Sequence, residues 1–147
     1  MIQLTTRATL ALILAGGLCQ ATNPAIGLVV TKGPFQVDDA RIQGNATLFE
    51  GNTIETAKVP SQVQLRNGVH VRLASESRAR VYGDRAVLEK GSGQLETSGG
   101  YEIQARSLRI SGGGAHAIAR VRLAQANTVI VAAMACTVRV TNASGVL

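Results

Sequence analysis

Val63-Gln64-Leu65-Arg66-Asn67-Gly68-Val69-His70-Val71-Arg72-Leu73 is the stretch whose reading decides the fold of this chain. Val63, Leu65, Val69, Val71 and Leu73 alternate with Gln64, Arg66, His70 and Arg72, and Asn67-Gly68 breaks the pattern once, at its middle. A period of two places every second side chain on the same face of a strand. Asn-Gly between two such runs is a strong hairpin signal, because a type I′ turn needs positive φ at both central residues. The stretch therefore predicts two antiparallel strands with one apolar and one polar face.

The same period continues outward. Ala79 and Val81 alternate with Arg78, Arg80 and Tyr82, and Gly83-Asp84 turns the chain into Ala86-Val87-Leu88. Tyr101, Ile103 and Ala105 oppose Glu102, Gln104 and Arg106; residues 118–123 and 129–132 repeat the pattern, and Val138 and Val140 close it. Residues 115–126 are rich in alanine, yet Val121 and Leu123 alternate with arginines, which favours a strand over a helix. Short strands punctuated by glycine turns predict an all-β domain: an antiparallel β-sandwich or jelly roll, or a short β-solenoid. Beyond residue 21 the aromatic residues are Phe35, Phe49, Tyr82 and Tyr101, so the core must be built from Val, Leu, Ile and Ala. Such a core suits thin stacked layers better than a wide barrel around a cavity.

The amino terminus predicts export. Arg7 is the only charge in the first 31 residues, and residues 8–18 form an uncharged run of eleven. That run is shorter than the roughly 20 apolar residues a membrane span needs, and it reads as a signal helix. Residues 1–21 are the expected signal peptide, with a second exit after Ala25, and residues 26–147 the exported domain. Leu18 stands before Cys19 where a lipidation signal carries a small residue, so an acylated anchor is disfavoured. Contact with the membrane is expected only through the signal segment, if it is retained. Cleavage after Ala21 leaves Cys136 as the one thiol, so no internal disulfide supports the domain. Cys136 itself reads as a small buried or edge residue, with no histidine beside it to make a nucleophile.

Leu48-Phe49-Glu50-Gly51-Asn52-Thr53-Ile54-Glu55-Thr56, followed by the Asn67-Gly68 hairpin, resembles the FecR-type domain. The resemblance runs through Leu73 with Ser75-Glu76-Ser77, then Val87-Leu88-Glu89-Lys90-Gly91 with Gln94-Leu95. It continues through Tyr101-Glu102-Ile103 to Val138-Arg139-Val140 before Asn142-Ala143-Ser144-Gly145. It implies an all-β module outside the bacterial inner membrane, periplasmic or at the cell surface. FecR-type regulators begin with a cytoplasmic segment that controls a sigma factor, and here a signal-like segment stands in its place. The resemblance thus implies a stand-alone exported FecR-like domain. The family carries glycine where this chain has Cys136, a local conflict in backbone freedom. After the turn signal of residues 142–145 only Val146 and Leu147 follow, so the domain is expected to be truncated there or completed by a strand from another chain.

Charge is uneven along the chain. Residues 22–105 hold nine basic and nine acidic side chains, whereas residues 106–147 hold Arg106, Arg109, Arg120, Arg122 and Arg139 and no acid. These five arginines are the candidate site for an anionic partner, an acidic glycan or an envelope protein. Arginines also blunt sheet faces and edges against strand addition, which needs no ligand. Nucleic acid is not expected, since no aromatic side chains interleave with the basic ones. His70 and His116 lack metal-ligand spacing, Asp38-Asp39 reads as a turn, and Gly112-Gly113-Gly114 lacks a strand-to-helix setting for phosphate. No enzyme activity, cofactor or metal is expected. The function predicted is a protein- or glycan-binding or sensing module of the bacterial envelope. The alternative is a structural, self-associating component joined through open β edges.

Overall fold

A computed structural model of the chain describes residues 22–125, 127–142 and 144–146. The signal segment expected over residues 1–21 lies outside them. Every regular element described is a strand. β1 (Ala25–Val37) and β2 (Ala40–Phe49) make a long hairpin, followed by β3 (Asn52–Thr56), β4 (Ser61–Leu65) and β5 (His70–Leu73). β6 (Arg78–Val81), β7 (Arg85–Lys90), β8 (Ser92–Thr97), β9 (Glu102–Ala105) and β10 (Leu108–Gly112) come next. β11 (Ala117–Leu123), β12 (Val129–Ala135), β13 (Val138–Asn142) and β14 (Gly145–Val146) complete the chain.

The strands form one sheet in the order β12-β11-β8-β5-β4-β1-β3-β6-β7-β9-β10-β13-β14, with β2 also against β1. Neighbours run antiparallel except β7 and β9, which are parallel. The bend that folds this sheet lies in β1. Its residues Gly27 to Thr31 pair with β4, whereas Phe35 to Val37 pair with β3, and the register against β2 shifts between Val30 and Pro34. A shift of this kind kinks a strand and raises its twist. β1 thus feeds a first half-sheet (β4, β5, β8, β11, β12) and a second one (β3, β6, β7, β9, β10, β13, β14). Val29, Val63, Val71, Leu95 and Val121 from the first pack in one cluster with Phe35, Ile54, Leu88, Ile103 and Ile110 from the second. The result is a nearly closed, barrel-like sheet with a filled interior.

The alternation read from residues 63–73 is met: Val63, Val71 and Leu73 are at most 1% exposed, and Val63 faces Val71 across the ladder. The turn differs from expectation. Gly68 alone has positive φ (+80°), and its N–H donates to the Leu65 carbonyl at 3.1 Å. The loop is therefore Arg66-Asn67-Gly68, with glycine in the left-handed position of a bulged three-residue turn. Asn67 acts through its side chain, donating to the Gly83 carbonyl and accepting from the Val69 N–H. The double positive φ of a type I′ turn occurs at Asp38 (48°) and Asp39 (67°), between β1 and β2. Asp38 holds that turn against β3 by accepting from the Thr53 N–H at 2.8 Å.

Several of the turn and strand residues singled out in the sequence have physical roles. Ile54 is fully buried, and the Thr56 hydroxyl donates to the Ala74 carbonyl while accepting from the Ser77 N–H at 2.9 Å. Thr56 thereby fixes the Ser75-Glu76-Ser77 turn, in which Glu76 has a positive φ of 53°. Gly91 passes the chain from β7 in the second half-sheet to β8 in the first. Its φ is +79°, and a Cβ there would meet Ser77 Oγ, Ser77 Cα at 2.8 Å and the Glu76 carbonyl at 2.9 Å. Only glycine fits that joint.

Tyr101 and Phe35 are the largest fully buried side chains, and the rest of the core is aliphatic. The Tyr101 hydroxyl donates to the Tyr82 carbonyl at 3.0 Å. Burial, reinforced by the charges of Asp84 and Glu50, pushes its pKa well above the usual tyrosine value. Cys136 is not buried: it is exposed, in the connection from the edge strand β12 to β13, with φ +57°. The left-handed backbone explains why glycine suits this position, since an L-residue there costs about 1–2 kcal/mol. After the turn, β14 pairs Gly145 and Val146 with Asn142 and Thr141.

Candidate functional site: an arginine groove on the first half-sheet

The core-facing alternation sets which side chains point outward. Val71 and Leu73 turn inward, so His70 and Arg72 stand on the outer face of β5; Leu95 turns inward, so Ser92, Gln94 and Glu96 stand outward on β8. Ala119 and Val121 are buried, so Arg120 and Arg122 stand outward on β11. Register then assembles a row. Arg72 faces Gln94, and Gln94 faces Arg120 on its other side, with Arg122 beside Ser92 one step along. The Arg120 guanidinium donates to Gln94 Oε1 at 3.2 Å.

Arg72, Arg120, Arg122, Gln94 and Ser92 line an open groove of about 460 Å³, bounded by Pro60, Ala74 and Ser75 at one side. Arg120 and Arg122 are roughly 7 Å apart along the strand, and Arg72 lies about 10 Å from Arg120 across β8, from strand geometry. Glu96 is the only acid in these paired rows; it faces His70. No ion pair to Arg72, Arg120 or Arg122 forms among the described residues. Guanidinium groups do not titrate at physiological pH and present fork-like donors matched to carboxylate, sulfate or phosphate oxygens. The groove therefore offers charge and donor geometry suited to an anion, with no aromatic side chain lining it to stack on a ring.

The five arginines singled out in the sequence do not meet in one place. Arg120 and Arg122 share the groove. Arg109 on β10 and Arg139 on β13 are diagonal neighbours on the outer face of the second half-sheet, which points away from the common core on the other side. Arg109 has a counter-ion, Glu102, at 4.0 Å. Arg106 sits in the turn after β9 with φ +56° and donates to Asn127 Oδ1 at 3.1 Å. Arg72 was missed because it lies in the charge-neutral part of the sequence. Its alternation already marked it as outward, but nothing local announces that β8 is inserted between β5 and β11.

A second concavity of about 420 Å³ is lined by Arg41, Lys90, Glu55 and Glu76 together with Phe35 and Thr56. Its two cations and two carboxylates offset one another, so it has no preferred sign of ligand. Among the described residues no three His, Cys, Asp or Glu side chains gather into a metal-ligand cluster. Comparisons with protein-family models, with curated proteins and with solved structures find no match to this chain.

Proposed function

We propose that the chain is an exported, non-enzymatic binding module of the bacterial envelope that holds an anionic partner, an acidic glycan or an acidic segment of an envelope protein. Its site is the groove over β5, β8 and β11. The observation that carries this reading is the set Arg72, Arg120 and Arg122, gathered on one outer face without a paired carboxylate. Uncompensated charge in a shallow groove attracts polyanions and steers their approach. The order of the FecR-like landmarks and the basic, then apolar, amino terminus support the envelope setting. We read the folded sheet as a FecR-like, sandwich-like barrel.

A polyuronate is the probe that tests this reading. Titrated into the full chain, it should bind with an affinity that falls as salt rises, because each ion pair releases a counter-ion. Arg72→Glu combined with Arg120→Glu and Arg122→Glu should weaken binding by at least about 100-fold, or roughly 2.7 kcal/mol. Equal binding by both chains would remove the groove from the function.

A further inference from the structure

The sheet has a free edge that is built unlike the others. β12 (Val129-Ile130-Val131-Ala132-Ala133-Met134-Ala135) pairs with β11 on one side and ends the strand order on the other. Its outward row of N–H and C=O groups therefore has no strand opposite it among the described residues. The seven residues include no charge, no proline and no glycine. Ile130 and Met134 are 43% and 54% exposed, and with Phe49 they are the large apolar side chains most open to solvent. The free side of β2 shows what a guarded edge looks like in the same molecule. It carries Arg41, Gln43 and Asn45, and Gly44 at φ +87° interrupts its extended backbone. Edges are ordinarily guarded in that way, by charge and by local distortion; β12 has neither along residues 129–133.

We propose that β12 pairs with β12 of a second copy of this chain, antiparallel about a two-fold axis, so that two sheets continue as one. The occupant follows from self-complementarity. In an isologous pair every residue faces a residue of the same strand, so any charge on β12 would oppose a like charge nearby; β12 has none. The regular ladder with β11 runs from Val129 to Ala133, and the register shift lies beyond it, between the partners of Ala119 and Ile118. A two-fold at Val131 therefore sets Val129 against Ala133 and exposed Ile130 against Ala132, large against small in both pairs. Main-chain hydrogen bonds give such strand addition its affinity and the alternating side chains its register.

Two consequences follow. Joining two short edges buries less than the roughly 1,200 Å² of a stable interface, so the dimer should form in the micromolar range. Arg120 and Arg122 of the two copies then lie three strand spacings apart, about 14 Å, on the same face of the joined sheet. That exceeds the Debye length of about 8 Å at physiological salt but lies well inside the roughly 30 Å at about 0.01 M, so their repulsion weakens the dimer only at low salt. Raising salt from about 0.01 M thus tightens self-association while it weakens polyanion binding, which separates the two readings. Neither depends on the other.

Sedimentation of the full chain across the micromolar range tests the proposal. The unmodified chain should pass from monomer to dimer. Ile130→Glu with Ala132→Glu, and separately Ile130→Lys with Ala132→Lys, should each weaken association by at least about tenfold. A one-to-one mixture of the two double variants should restore a dimer, a result that misfolded chains would not produce. A monomer at every concentration for the unmodified chain overturns the proposal. So does undiminished association of either double variant, or a mixture that stays monomeric.

Discussion

Two rows of arginines stand on the outer surface of this sheet, one on each half, and their neighbours differ. On the second half-sheet Arg78 and Arg80 project from β6. Arg78 meets Glu55 at 3.3 Å and Glu89 at 3.0 Å, and Arg80 meets Glu89 at 3.5 Å. Glu89 is the extra residue at the register shift between β6 and β7, where Arg78 faces Lys90 but Ala79 already faces Leu88. The bulge aims that carboxylate between two guanidinium groups. On the first half-sheet the matching place between Arg72 and Arg120 is taken by Gln94, which can accept a hydrogen bond but carries no charge. The same residue type, on the same kind of face, is neutralised in one row and left free in the other. The difference teaches that a basic sequence does not make a basic site; the cross-strand neighbour decides.

The largest effect should come from breaking the joint between the two rows. Gly91→Ala combines a left-handed φ with overlap onto Ser77 and Glu76, and should cost about 3 kcal/mol, read as a lower midpoint in urea unfolding. Next, charge reversal should separate the rows by function. Arg120→Glu with Arg122→Glu should lose polyuronate binding by at least about 30-fold with little change in melting temperature. Arg78→Glu with Arg80→Glu should leave binding within about twofold and lower stability, since both introduced charges face existing carboxylates. A smaller change sharpens the contrast. Gln94→Glu places a carboxylate where Glu89 stands in the other row and should weaken polyuronate binding by about tenfold, measurable by calorimetry. The smallest effect is expected from Glu89→Gln, a loss of about 0.5–1 kcal/mol because its ion pairs are partly exposed, with the loss vanishing at high salt.

Alkaline titration reads a different part of the molecule. Tyr101 has its pKa raised by burial, so the folded state keeps the proton that the unfolded chain releases near pH 10. The stability this residue contributes is present in full below that pH and is lost as pH rises above it toward the folded pKa. Tyr101→Phe should remove that alkaline dependence and cost about 1 kcal/mol at neutral pH through the lost bond to the Tyr82 carbonyl.

Most of the strands were legible because alternation is local. Val63, Leu65, Val71 and Leu73 face the core as their spacing requires, and so do Ala79, Val81, Ile103, Ala119 and Val121. Turns were legible in place but less so in type. Asn67-Gly68 does turn the chain, yet Asn67 keeps an ordinary φ because Gly68 alone can take the bulged position. Of the two places read for Cys136, buried or at an edge, only burial fails: the chain switches there from β12, at the edge of one half-sheet, to β13 in the other. Of the groove, Arg120 and Arg122 were legible as a pair on one strand face; Arg72 was not.

The amino-acid sequence by itself determined that this chain folds into strands and which face of each strand is polar, because a period of two is written residue by residue. Its run of arginines after residue 105 was equally plain. Only the tertiary structure decided which strands are neighbours: β8 between β5 and β11, β7 parallel to β9, β12 at a bare edge. Those pairings join residues far apart in the chain, and they alone settle whether an arginine meets a carboxylate, a glutamine or open solvent.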